Sequence, residues 1–174
     1  MSKTLLPLFR DVAIALAVVL IVLFFIGPTI VYGSSMEKTL QEKDYVICAK
    51  QAYAFSDIKH GDIVIFKSEL EEVENGGKKN LIKRVIAVPG DTIEIKDEKV
   101  FLNGKELVEP YIKDGVTNGS IEKITIGDGL YFTMGDNRLK SKDSRATDVG
   151  LVSENDIIGK VIFRLFPLSE IGTL

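Results

Sequence analysis

The stretch LIKRVIAVPGDTIEI at 81–95 decides how the rest of the chain is read. It offers two strand candidates, 81–88 and 91–96, rich in Val and Ile and separated by turn residues. The same texture recurs at 45–49, 62–67, 99–102, 106–108, 121–126, 130–134 and 157–165, with Gly, Asn and Asp between the runs. Asn103-Gly104, between Val100-Phe101-Leu102 and Glu106-Leu107-Val108, is a strong hairpin signal. No long helical period and no internal repeat follow residue 45. The sequence therefore predicts a mostly β domain. Residues 97–129 carry their own hairpin and turns and read as an inserted lobe between the core strand at 81–96 and the one beginning near 130. The charged segment SELEEVENGGKKN at 68–80 reads as a solvent-exposed, flexible hairpin loop.

Upstream lies a different kind of sequence. Positions 12–26 are an unbroken apolar run, and 27–32 continue it without a charge. As a helix, 12–32 would span roughly 30 Å, enough to cross a bilayer core. A buried soluble helix would show a polar stripe, and none is visible. A cleaved leader would end in a small-x-small site, which Val31-Tyr32-Gly33 does not supply. The expected organisation is a short tail at 1–11, a single transmembrane helix at 12–32 and a catalytic domain at 33–174. Pro28 kinks or closes the helix near its end. Lys3 and Arg10 precede the helix while Lys38, Lys43 and Lys50 follow it, so the positive-inside count does not orient it. The short tail and the large domain behind it favour a cytoplasmic N-terminus and an extracytoplasmic domain.

Composition removes several classes. The chain has 174 residues and a formal charge of −3, against a nucleic-acid binder. Its one cysteine, Cys48, excludes an intramolecular disulfide and an all-cysteine metal site, and in Tyr45-Val46-Ile47-Cys48 it reads as a buried inert thiol. Its one histidine, His60, falls in the polar turn Lys59-His60-Gly61-Asp62. A serine hydrolase built on this chain would take its base from another residue type. No metal or organic cofactor is implied.

Two residues offer that chemistry. Ser35, in GSSMEKTL at 33–40, follows directly on the apolar run. Lys83 would share a strand face with Leu81, Val85 and Ala87, an apolar setting that lowers an amine pKa toward neutrality. Arg84 has an equally apolar face, but a guanidinium is not deprotonated in a protein, so only Lys83 can serve as a base. A serine hydroxyl needs such a base to become a nucleophile. Taken singly, Ser35 reads equally as a turn residue or helix cap, and Lys83 as an edge-strand lysine reaching solvent.

Together the segments resemble type I signal peptidases of the bacterial, Gram-positive kind, membrane-bound Ser/Lys proteases. The resemblance rests on the anchor, Ser35-Met36 with Thr39-Leu40, GDIVIF at 61–66, KRVIAVPGD at 83–91, GDNRLKSKDSR at 135–145, and Gly150-Leu151-Val152 leading to Ile158-Gly159-Lys160. It implies a signal-peptidase-type β catalytic domain at the plasma membrane that removes signal peptides from secretory preproteins, cutting after small-x-small sites such as Ala-x-Ala. It implies Ser35 as nucleophile, Lys83 as general base, Ser141 orienting the Lys83 amine, and Asp143 with Arg145 as a supporting ion pair. The Ser35 backbone N–H would be an oxyanion donor. A second donor, a serine in some relatives, corresponds here to Gly33. Val31, Tyr32, Met36, Leu40, Leu81 and Ile82 correspond to substrate-pocket positions, with ordinary core or membrane-interface packing as the competing reading. Membrane lipid and the protein export machinery are the implied partners.

One departure stands out. The family pattern Ser-Met-x-Pro-Thr-Leu is here Ser35-Met36-Glu37-Lys38-Thr39-Leu40. Proline would fix the backbone after the nucleophile; Lys38 is expected to loosen it and to add charge. Two other readings stand beside the leading one: a Ser/Lys peptidase with another target, such as a self-cleaving repressor, and a silent membrane-tethered domain that binds exported peptides.

Overall fold

The computed structural model describes residues 5–71 and 76–174. Helix α1 (Leu5–Phe25) has 21 residues, and every side chain from Pro7 to Phe25 is exposed. An all-round apolar surface of this length fits a membrane anchor. Its bounds correct the expected 12–32. Arg10 and Asp11, which precede the apolar run, lie inside the helix and pair with each other at 2.9 Å. At the other end, Pro28 lacks an N–H and disfavours helical backbone at Gly27. Ile26–Ile30 accordingly forms an edge strand, the position in a sheet where proline is tolerated. Lys50 closes the helix: its N–H donates to Phe25 O at 2.9 Å and its ammonium to Leu23 O at 3.0 Å, a cation at the negative helix end.

Among the described residues, twelve strands follow: β1 (Ile26–Ile30), β2 (Tyr45–Ala49), β3 (Ile63–Glu71), β4 (Lys78–Ala87), β5 (Thr92–Lys96), β6 (Lys99–Leu102), β7 (Lys105–Glu106), β8 (Ile121–Thr125), β9 (Leu130–Met134), β10 (Val152–Ser153), β11 (Ile157–Phe166) and β12 (Gly172–Thr173). The larger sheet runs β1-β2-β11-β3-β4-β9-β10, with β12 beside β11. The smaller runs β7-β6-β5-β8. The inserted lobe thus begins at Thr92 rather than 97, because the Pro89-Gly90-Asp91 turn already takes the chain out of the larger sheet. Asn103 and Gly104 both have positive φ, 53° and 77°, as a tight hairpin turn requires.

The segment 68–80 is less loop than its charge suggests. Strand β3 continues to Glu71, which pairs with Lys78 of β4 after a register shift beyond Lys67. Ser68 is buried and donates to Lys79 O at 2.6 Å. Positions 72–75 lie outside the described residues.

Three apolar clusters hold the domain. One joins β2, β3 and β11 to the segment after β1, through Val31, Met36, Leu40, Val46, Ile63 and Val161. A second locks the lobe onto the larger sheet, with Ile86, Phe132 and Met134 against Ile93, Ile95 and Val100. The third packs Val64, Phe66, Leu81, Val85, Tyr131 and Val152. Each such side chain contributes about 1.5–3 kcal/mol by leaving water.

Candidate functional site

Strand β4 carries the central group. Its odd-numbered positions from 81 to 87 are buried, and Lys83 is among them with 1% exposure. The Lys83 ammonium donates to Ser35 Oγ at 2.7 Å and to Ile82 O at 3.1 Å. Burial lowers its pKa to about 8; Lys79 and Arg145 push the same way, while Asp143 and Asp136 oppose. An amine in this state is neutral often enough near pH 7 to accept a proton.

Ser35 sits in a turn held from below. Met36 and Leu40 are buried in the first cluster, and Thr39 and Leu40 N–H donate to Met36 O at 2.9 and 2.8 Å. The Ser35 carbonyl accepts from Asn137 N–H at 3.0 Å, and the Ser34 carbonyl from Asn137 Nδ2 at 2.9 Å. Gly135 lies so close that a Cβ there would stand 2.3 Å from both Ser35 O and Ser141 Oγ. No hydrogen bond from the Ser35 N–H is formed among the described residues. Gly33 presents no side chain, so the second hydroxyl donor seen in some relatives has no counterpart at that position.

The SKDSR segment packs behind the pair. Arg145 grips Asp143 with Nε and Nη2, each at 2.8 Å, and also donates to Arg138 O and Asn118 O. Burial alone would raise the Asp143 carboxyl; the Arg145 guanidinium, with the Ser141 hydroxyl and Gly135 N–H, outweighs it and holds the pKa low. Ser141 packs against Gly135 with its hydroxyl buried beside the Asp143 carboxyl, and among the described residues it makes no bond to Lys83.

The pocket candidates separate. Val31, Met36 and Leu40 are buried in the first cluster and Leu81 in the third. Ile82 packs half-buried at the margin of the first cluster, and Tyr32 is 75% exposed. Beside Ile82 the sheet is incomplete: β4 pairs with β9 only from Arg84 onward, leaving 79–83 without a strand on that side among the described residues.

Sequence reasoning missed the scaffold around these groups. Arg84, set aside as a base, binds Asp136 through Nε at 2.9 Å and Nη2 at 2.7 Å and lies 4.1 Å over the Tyr111 ring. Thr39 donates to the same Asp136 carboxylate at 2.5 Å. Arg138 is fully buried against Glu109, at 2.5 and 2.9 Å, and donates to Gly135 O. The signal available was a charged residue on an apolar strand, which has to find a buried partner. Lys38 also departs from expectation: its ammonium donates to Pro110 O at 2.7 Å, so it ties the turn down. Cys48, pushed up to about 11 by burial, is inert, and His60 contacts Asp91 at 2.6 Å outside this constellation.

Comparison with known proteins bears on the whole chain. The family described as "Signal peptidase, peptidase S26" matches residues 6–166. Signal peptidase I T of Bacillus subtilis is 37% identical, over 91% of this chain and 84% of its own. Signal peptidase IB of Staphylococcus aureus is 34% identical, over 98% of this chain and 94% of its own. A crystal structure of a signal peptidase I from Enterococcus faecalis is similar over 60% of this chain and 97% of that one, with 27% identity and a TM-score of 0.48. A family match across the fold and relatives above 30% identity over nearly the whole length lead to one assignment: the chain belongs to the signal peptidase family, peptidase S26.

Proposed function

We propose that this protein is a membrane-bound serine endopeptidase that removes N-terminal signal peptides from exported preproteins, with Ser35 as nucleophile and Lys83 as general base. The observation that carries this reading is the 2.7 Å contact between Lys83 Nζ and Ser35 Oγ, with the amine buried and its pKa lowered to about 8. In its neutral form Lys83 takes the hydroxyl proton as Ser35 Oγ attacks the scissile carbonyl. The resulting ammonium then returns that proton to the departing amine, and water, activated by the same amine, cleaves the acyl-enzyme. The Ser35 N–H donates to the oxyanion.

The stretch 79–83 of β4, with no strand on its β9 side among the described residues, suits an extended peptide, which would add a strand there beside Ser35. Half-buried Ile82 at the margin of that gap favours small side chains, in keeping with cuts after Ala-x-Ala. Helix α1 holds the domain at the membrane, with the N-terminus cytoplasmic and the domain outside.

The test is cleavage of a secretory precursor by the detergent-purified chain beside Ser35→Ala and Lys83→Ala. Correctly placed cleavage by the parent protein alone is expected. Activity surviving in either variant would end the Ser/Lys reading, and a folded but inert parent would favour a peptide-binding role.

A further inference from the structure

The nucleophile turn has two sides. The lower side is buried through Met36 and Leu40. The upper side, Glu37 and Lys38, meets the inserted lobe at 109–113. There Lys38 donates to Pro110 O at 2.7 Å, and Lys113 pairs with Glu37 at 2.6 Å. The same five residues are pinned independently. Glu109 is buried against Arg138, Tyr111 lies under the Arg84 guanidinium, and Lys113 N–H donates to Asp136 O at 3.0 Å. Glu37 also accepts from Asn137 Nδ2, which holds the Ser34 carbonyl.

We infer that segment 109–113 is a strap that positions Ser35, with Glu37 and Lys38 as positioning residues through which the lobe fixes the nucleophile turn. The inference rests on the Ser35 reading above. A proline in place of Lys38 would stiffen the turn through its own ring. Here the stiffness comes from across the structure, through one ammonium-to-carbonyl bond and one ion pair. The lobe is thereby coupled to the reaction although, among the described residues, it makes no hydrogen bond to Lys83 or Ser35.

Such contacts act on geometry, and small misplacement of a nucleophile lowers turnover more than binding. The experiment uses the full chain in detergent with Lys38→Met, Lys38→Arg, Glu37→Lys, Lys113→Glu and the Glu37→Lys/Lys113→Glu pair. Hydrogen exchange at the 34–40 amides is read alongside precursor cleavage. Lys38→Met and each single charge reversal are expected to speed exchange there and lower kcat by about three- to tenfold, with KM and the pH midpoint unmoved. Lys38→Arg and the paired reversal are expected to recover most of the loss. Unchanged exchange in Lys38→Met overturns the strap, as does a paired reversal whose defect is the product of the two singles. Exchange tests the strap whether or not the protein cleaves, and cleavage by the parent but not by Ser35→Ala tests the peptidase reading, so the two failures are told apart.

Discussion

Replacing Lys83 with Met should stabilise the protein while abolishing cleavage. The ammonium is 1% exposed, and its pKa falls from 10.5 to about 8 chiefly through burial. Holding it charged at pH 7 therefore costs about 3 kcal/mol relative to the unfolded chain. Methionine has similar volume and no charge. It forfeits the bonds to Ser35 Oγ and Ile82 O, worth about 1 kcal/mol or less each. The net gain at pH 7 is about 1–2 kcal/mol, or a rise of about 2–8 °C in Tm. The sign depends on pH. Below about pH 8 the lysine is protonated folded and unfolded, and its cost is present in full. Between 8 and 10.5 the unfolded chain binds more protons, so the parent gains stability as pH rises and the advantage of Lys83→Met disappears. Thermal melts of both proteins in detergent at pH 7 and pH 10 measure this, since the other titrating groups are common to both. A difference that stays constant between the two pH values, or a variant less stable at pH 7, would refute the account of Lys83 as a desolvated amine.

With Lys83 as base, kcat/KM for a precursor peptide should rise about tenfold per pH unit up to about pH 8 and then level, and a flat profile from 6 to 8 would exclude it. Gly135→Ala places a methyl group 2.3 Å from Ser35 O and Ser141 Oγ, so cleavage should fall by about 100-fold or more while circular dichroism still reports a β fold. Arg138→Met leaves the Glu109 carboxylate buried without its guanidinium, and urea unfolding should report a loss of about 3–5 kcal/mol.

Much of the β domain was legible because its signals are local. Val, Ile and Phe runs mark β2, β5, β6 and β9 to within a residue or two of their observed ends, and Asn103-Gly104 names its own turn. Strand β1 was hidden because Ile26–Ile30 is as apolar as the helix before it, and only its pairing with β2 distinguishes it. Strands β10 and β12, two residues each, are too short to leave a period. At the site, the pairing of Lys83 with Ser35 could be approached from the sequence because chemistry rules out Arg84 as a base. The roles of Asp136, Arg138 and Glu109 could not, since each depends on a partner far along the chain. Met36, Leu40 and Val31 were expected as pocket positions beside Ser35; the fold buries them beneath its turn, which the sequence did not show.

A protein that works on extended polypeptides could collect them at any free ladder of backbone groups. Here the outer margins discourage such guests. Strand β1 carries Pro28, which offers no N–H; β7 and β10 are two residues long; β8 displays Glu122 and Lys123. The inner gap at 79–83 has no strand beside it among the described residues and opens beside Ser35. On the proposed reading, a passing chain would therefore be sorted first by where it can dock, before any of its side chains is read.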